Sequence, residues 1–571
     1  MMKRRLLLLL AGAVSAAKLF AGCTDSCSCE YTSKSYLWVR PHFLPAAPEM
    51  VAGFRNDRVR ARGEEGHCGA FQAVIYGSKS NNWKNLARYF MPDCKRCLTV
   101  DSRLTDGEFG LSRNPGNIIE KDLLAANFNI FTDPDITDPG VISDGKFRSR
   151  IWFEPEQTVV GLGLHWVQDV WVFEESGRAI WAAVNFPIER VRNTMGLCEE
   201  VIETDPVDKS GDVKVVANMR EAFIQDEWEY GKICSGSMSR TGIADVNVRL
   251  GLKWLAHRPV HMDTYAGVLI PTGNKPDGRY LFEPVVGNGH RWGFMWGSAF
   301  GVDVMNRGED GINLRFEIAP NNMYMFSQKY CRQVDLKNKP WSRYMAMYEN
   351  KEQAQKAYDD YLAGSTANDD NAQRRARNLA TPGVNILTLP LRVKGGFQHN
   401  ITSSFVLTCP TSCGGFQAEA GYNFFCRNAE CVELACPWKA GPALKSHWSP
   451  YWLPGETNPI GDITGRFELE QARWRNNGGC APTAPPNPQQ CVNAQWGLDD
   501  YDKAMITAED LDLNSAAAPL VFTQTIYGSA GFRCDTCEHP LFVNLGGSYE
   551  MSQSNAMLER WTVWFKGGVS F

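Results

Sequence analysis

The residues best equipped for chemistry in this 571-residue chain are its 18 cysteines. Cys94-Lys-Arg-Cys97 and Cys534-Asp-Thr-Cys537 have zinc-knuckle spacing, and together they would offer four thiolates. No histidine joins either pair, so no metal and no cofactor is expected. Redox work by a CxxC pair needs a thioredoxin-like βαβ frame, which the surrounding sequence lacks. The other cysteines also cluster: Cys23, Cys27 and Cys29; Cys409 and Cys413; Cys426, Cys431 and Cys436; Cys480 and Cys491. Exported thiols oxidise, so local disulfides in turns and loops are the expectation. The pairing is not readable from spacing.

Other catalytic patterns fail on inspection. Gly297-Ser-Ala-Phe-Gly301 is not a nucleophile elbow, because the elbow needs serine at its centre. His165 lies in an alternating segment on its polar side, where a structural role is expected. No HExxH, P-loop or dinucleotide fingerprint occurs. The chain therefore reads as a non-enzyme, with an outer-membrane hydrolase as the weaker rival.

A third set is chemical in a different way. Asp245, Asn247, Arg249, Lys253, Asp303, Asn313, Arg315, Glu317, Arg560 and Lys566 fall at every second position of segments whose alternate residues are large and apolar. Mixed charge of this kind keeps a pore wet and sets a transverse field. The opposing expectation is that these charges pair with one another and plug the lumen.

The elements that position these residues have period two. From Ala244 to Trp254, Ala244, Val246, Val248, Leu250, Leu252 and Trp254 share one face. From Trp292 to Val304, Trp292, Phe294, Trp296, Phe300, Val302 and Val304 do so. From Gly311 to Ile318 the apolar set is Ile312, Leu314, Phe316 and Ile318. About ten residues is the length of a tilted membrane-crossing strand, whereas soluble strands run to about five or six. The same pattern recurs at Gly69–Gly77, Gln157–Val170, Ala179–Arg190 (Asn185 and Glu189 inward, Pro187 a weak point), Met262–Ile270, Ile401–Cys409, Phe416–Cys426, Leu520–Phe532, Leu541–Met551 and Met557–Phe571. These twelve segments predict one antiparallel transmembrane β-barrel, all-β in class, over residues 69–571. Short turns gather at one rim: Phe173–Gly177, Ala256–His261, Met305–Asp310, Pro410–Gly415 and Arg533–Pro540. Long loops gather at the other, as in outer-membrane barrels. Asn81–Ser149 and Arg192–Thr241 read mainly as loop, with a short helix near Met219–Gln225. A clearer helix is expected at Lys351–Leu362, and a short strand at Tyr36–Val39.

Composition agrees. Net charge is −5 and the pI about 6.1, so nucleic acid is not a partner. The 18 tryptophans suit interfacial girdles. Mean hydropathy is −0.32, and no apolar run of roughly eighteen residues follows the first 22 positions, which disfavours helical spans. Met1–Gly22 has the basic start, apolar middle and small-residue end of a signal peptide. Phe20-Ala21-Gly22-Cys23 is a weak lipobox, so lipidation of Cys23 is the minor alternative. Residues 23–68 are assigned to an N-terminal periplasmic or plug segment.

Tyr265–Asn274, with its Pro-Thr-Gly, and Gly287-Asn-Gly-His-Arg-Trp-Gly-Phe294 resemble the strand–loop–strand of porin-like barrels, in particular the outer-membrane transporters linked to phenol meta-degradation. The C-terminal strand ending on Phe571 resembles the assembly signal of bacterial outer-membrane barrels. The resemblance implies passive passage of small solutes across the bacterial outer membrane, with lipid, the barrel assembly machinery and small molecules as partners, homo-oligomerisation left open. A cysteine-crosslinked structural or adhesive barrel is the remaining rival.

Overall fold

A computed structural model of the chain describes residues 30–42, 68–102, 123–130, 147–173, 178–205, 215–255, 259–306, 311–367, 379–444, 505–534 and 539–571. The signal-peptide segment, Cys23 and Cys537 lie outside these residues.

All twelve alternating segments form strands: β1 (Gly69–Ser80), β2 (Glu156–Phe173), β3 (Arg178–Thr194), β4 (Val246–Leu255), β5 (Val260–Ile270), β6 (Gly293–Asn306), β7 (Asn313–Met325), β8 (Gly396–Thr411), β9 (Gly414–Arg427), β10 (Val521–Cys534), β11 (Leu541–Ser552) and β12 (Arg560–Ser570). Each pairs antiparallel with its neighbour in chain order. The ring closes where β1 meets β12, with Ala70 opposite Ser570. Closure leaves no unpaired edge within the ring, the condition for placing a sheet in hydrocarbon.

The apolar face points outward. Phe294 is 43% exposed, Phe300 39% and Leu545 65%. On β12 the outward row runs from Trp561 through Val563 and Phe565 to Phe571. Ten positions at a strand rise of about 3.3 Å, tilted by about 40°, span roughly 25 Å, the height of an outer-membrane apolar band. No helix among the described residues is long and apolar enough to cross a membrane.

Pro187 sits inside β3 without breaking the wall. β4 pairs with β3 up to Asn185, and a further strand, Ser237–Ile243, takes over from Ile188 to Thr194. Pro187 falls at this change of partner, where its missing N–H costs no ladder bond, and its carbonyl still accepts from Ala244 at 2.9 Å. Arg192–Thr241 is thus less of a loop than expected, and so is Asn81–Ser149, which contains a helix at Trp83–Phe90 and a strand at Cys97–Asp101. Lys351–Ala367 is a helix, as its periodicity indicates. Tyr36–Val39 is not a strand.

The long connections pack together into a cap at one rim. Its apolar core includes Phe90, Phe128, Phe223, Trp228, Phe282, Trp341 and Tyr344, all buried. Trp341 donates its indole N–H to the Phe90 carbonyl at 2.7 Å. The strand Gln328–Gln333, the strand Thr388–Lys394 and the strand Cys431–Leu434 make one small sheet of the cap. Residues 30–42 run through it. The Ser33 hydroxyl donates to Asp335 at 2.7 Å, and Lys34 donates to the Asn514 carbonyl at 2.7 Å.

Candidate functional site

The candidate site is the inner surface of the ring and its mouth beneath the cap. Alternation buries one face of every barrel strand. Asn247, Lys253, Asn313, Glu317, Arg560 and Lys566 are buried there, while Arg249, Asp303 and Arg315 are partly so. Asp245 stands at the break between Ser237–Ile243 and β4. Its carboxylate accepts from the backbone N–H of Asn288 (2.7 Å) and of Gly273 (3.2 Å), and so ties down the loop between β5 and β6.

The polar contacts of this face follow the circumference. Asn185 donates to Asn247 directly opposite at 3.0 Å. Arg315 on β7 reaches Asp303 on β6 at 2.8 Å, and Arg560 on β12 reaches Glu550 on β11 at 2.7 Å. Lys253 on β4 reaches Asp169 on β2 at 2.5 Å, past β3, where Ala179 stands opposite Lys253 and Trp181 opposite Asp169. Arg249 donates to His165 Nε2 at 3.2 Å between the same two strands, so this histidine is engaged by a guanidinium. Tyr76 on β1 reaches Glu189 on β3 at 2.5 Å, and Tyr265 on β5 reaches Asn321 on β7 at 2.8 Å. Every one of these joins a neighbouring or next-but-one strand.

Large rings obey the same rule. The ring of Tyr76 occupies the space a side chain would need at Gly161; Trp181 does so at Gly251, Tyr265 at Gly297, Tyr527 at Gly421 and Trp564 at Gly546. Glycine on one strand lets the ring of the next lie along the wall rather than across the bore.

At the mouth, residues 30–42 add cations of their own. Arg40 is fully buried. It donates to Glu550 at 3.0 Å and to Asn423 at 3.1 Å, and its guanidinium lies 4.9 Å from the Phe425 ring centre. His42 accepts from Arg560 at 3.3 Å and stacks on Tyr76. Just above, Glu430 accepts from Arg291 and Arg332, each at 2.7 Å, and from Arg427 at 3.5 Å. Tyr36, Tyr330 and Trp38 face these guanidinia, Arg332 lying 3.4 Å from the Tyr36 ring centre. Burial alone would push the Glu430 carboxyl up, but Arg332, Arg291 and Arg427 together hold it well below the usual carboxylate range.

Sequence parity also identifies Asp169 and Glu550, which share the inward phase of His165 and of Ser548. The mouth residues Arg40, Arg332 and Glu430 carry no periodic signal. Of the first CxxC pair, Cys94 is disulfide-bonded while Cys97 is an exposed free thiol, so that pair is not closed on itself. No group of three metal-ligating side chains occurs among the described residues. Phe571 seals the seam of the ring: its N–H donates to the Gly69 carbonyl at 2.9 Å, and its carbonyl accepts from the Gly69 N–H at 2.6 Å.

No family model and no curated relative matches the chain. Among solved structures, an outer-membrane channel from Pseudomonas putida F1 aligns over 88% of this chain and 96% of its own, at 8% identity and a TM-score of 0.33. The transport unit of the autotransporter AIDA-I from Escherichia coli aligns over 90% and 93%, at 7% identity and a TM-score of 0.29. A Pseudomonas aeruginosa FadL homologue aligns over 94% and 99%, at 8% identity and a TM-score of 0.28. A closed ring of antiparallel strands, apolar outside and polar within, makes this chain a transmembrane β-barrel.

Proposed function

We propose that the barrel is a channel for small solutes, open to passive movement along its polar bore and covered at one mouth by the cap. One observation carries this reading: among the described residues the ion pairs Lys253–Asp169, Arg315–Asp303 and Arg560–Glu550, and the rings packed over glycines, run along the wall between strands no more than two apart. A lumen closed by its own charges would show pairs between opposite walls. Mixed charge held in place favours polar or amphiphilic solutes over simple ions of one sign. Ligand selection then falls to the mouth, where residues 30–42 and the long loops meet. The test is planar-bilayer recording of the refolded, full-length protein. Discrete conducting steps are expected, and their absence from protein shown to be folded would remove the proposal. Hydrolysis of a lipid or peptide by the same preparation would favour the enzymatic rival instead.

A further inference from the structure

We propose that the outward face of β3 at the long-loop rim is a binding site for the phosphate of a phosphorylated glycolipid headgroup. The outward positions along this rim are aromatic around much of the ring: Trp292, Tyr324, Phe397, Tyr549 and Trp561 are all exposed. On β3 the row changes character. Apolar contact ends at Ile188, which lies opposite Ile243, and the next two outward positions are Arg190 and Arg192. Both are exposed, and neither guanidinium makes a hydrogen bond or ion pair with any described residue. Thr241 stands opposite Arg190 and Ser239 opposite Arg192, each an exposed hydroxyl. Lys79 lies two strands away across Thr158, but its ammonium is already paired with Glu156 at 3.0 Å. Counting that pair as neutral, two guanidinia remain in excess.

The spacing suits one ligand. Alternate residues of a strand stand about 6.6 Å apart on the same face, so two guanidinium forks can grip oxygens of one phosphate group or of a closely spaced pair. Arginine is the side chain for this work, since it is permanently charged and binds phosphate bidentately. The site adjoins the oily belt directly, so acyl chains would lie against Val160 and Ile188 while the headgroup meets the arginines. A free phosphate ion would gain nothing from that belt. In barrels of this class the long loops are extracellular, so this rim meets the outer leaflet, and a phosphorylated glycolipid offers both phosphates for the arginines and acyl chains for the belt. The inference rests on the membrane-barrel reading but not on the channel proposal.

The test uses detergent-solubilised full-length protein and native mass spectrometry, with diphosphorylated lipid A as the probe. Wild type is expected to retain it. The double variant R190A/R192A is expected to lose roughly tenfold or more in apparent affinity, as removal of charge-assisted hydrogen bonds implies. The variant R178A removes an outward cation at the opposite rim and is expected to bind as wild type does. Lipid A stripped of its phosphates is expected to bind the wild type as weakly as the double variant binds the intact lipid. Retention of lipid A by the double variant at wild-type strength would overturn the proposal, as would displacement of the lipid by millimolar inorganic phosphate or equal binding of phosphatidylglycerol. Heat-modifiable migration on gels confirms folding for each variant and separates failure of the barrel from failure of the site.

Discussion

The barrel wall and the cap are built from one chain by opposite rules. The wall sorts its side chains by position: along each strand alternate residues meet lipid and the bore, and each strand's contacts reach no further than the neighbouring or next-but-one strand in the pairs described above. The cap sorts nothing by period. Phe128, Phe223, Trp228, Trp341 and Tyr344 come from three separate connections and meet in one aromatic cluster. Its polar centre likewise brings Arg291 and Arg332, from two other connections, onto Glu430 beside Arg427. A wall made of local pairings tolerates local damage. A cap made of convergent contacts should fail as a unit.

The largest effect is expected where that convergence is tightest. Replacing Glu430→Gln leaves three buried guanidinia without their counter-charge, and breaking a buried pair in this way costs about 3–5 kcal/mol. Limited proteolysis should then cut the long loops of E430Q quickly while the barrel keeps its heat-modifiable migration. Equal resistance in wild type and variant would show that the cap does not depend on this carboxylate. The pH dependence follows from the same cluster. Glu430 is held below its unfolded value, so its contribution is fully present above about pH 4.3 and is lost only as pH falls through the depressed folded value. The cap is therefore expected to stay protected at pH 4, where ordinary carboxylates begin to protonate.

A second substitution probes the wall. Leu545 lies outward near the middle of β11, and arginine at the bilayer midplane costs about 2–4 kcal/mol. Leu545→Arg should lower the folding free energy measured by urea titration in vesicles by that amount, with a lower urea midpoint, while leaving loop proteolysis unchanged. The inward Lys566, one strand away and two residues from Trp564, shows that a cation is accepted on the other face of the same sheet. A Leu545→Arg variant as stable as wild type would mean that the outward face does not meet lipid.

The difference between the two regions also explains what can be read from the chain unaided. Strand phase is a property of adjacent residues, so Phe294, Trp296 and Phe300 declare one face and Asp303 the other without any knowledge of the fold. Ser237–Ile243 escapes the same reading because its sequence, Ser-Met-Ser-Arg-Thr-Gly-Ile, has only one strong apolar residue on each face. The cap strands are short, with six residues in Gln328–Gln333, seven in Thr388–Lys394 and four in Cys431–Leu434, too few for alternation to register. Tyr36–Val39 looks like a strand for its apolar content, yet Leu37 and Trp38 are buried by side-chain packing against the cap, with no partner ladder. Convergent sites such as the Glu430 cluster depend on loops meeting, and no spacing rule encodes that.

The ring-over-glycine pairs sharpen the account of the wall. Valine at Gly546 would place its side chain where the Trp564 indole lies, and overpacking of this kind costs about 1–3 kcal/mol. Gly546→Val should weaken the barrel by that amount, and the further change Trp564→Ala should recover part of the loss by emptying the space. Additive losses in the double variant, measured by urea titration in vesicles, would contradict the packing described.

The smallest change in stability, and the one that speaks most directly to transport, concerns the place where the two regions touch. Arg40 binds Glu550 and Asn423 from the cap side, while Glu550 keeps Arg560 and Thr523 as partners from the wall. In Arg40→Ala the carboxylate therefore remains paired, and the loss is one charge-assisted contact, about 1–2 kcal/mol. The barrel should refold normally. If residues 30–42 cover the bore, single-channel recordings of R40A should show a higher open probability and no change in the conductance of the open state, because the wall that sets conductance is untouched. A changed open-state conductance with unchanged gating would place Arg40 among the lining residues instead. An identical record in every respect would mean that this contact holds the cap in place without governing passage.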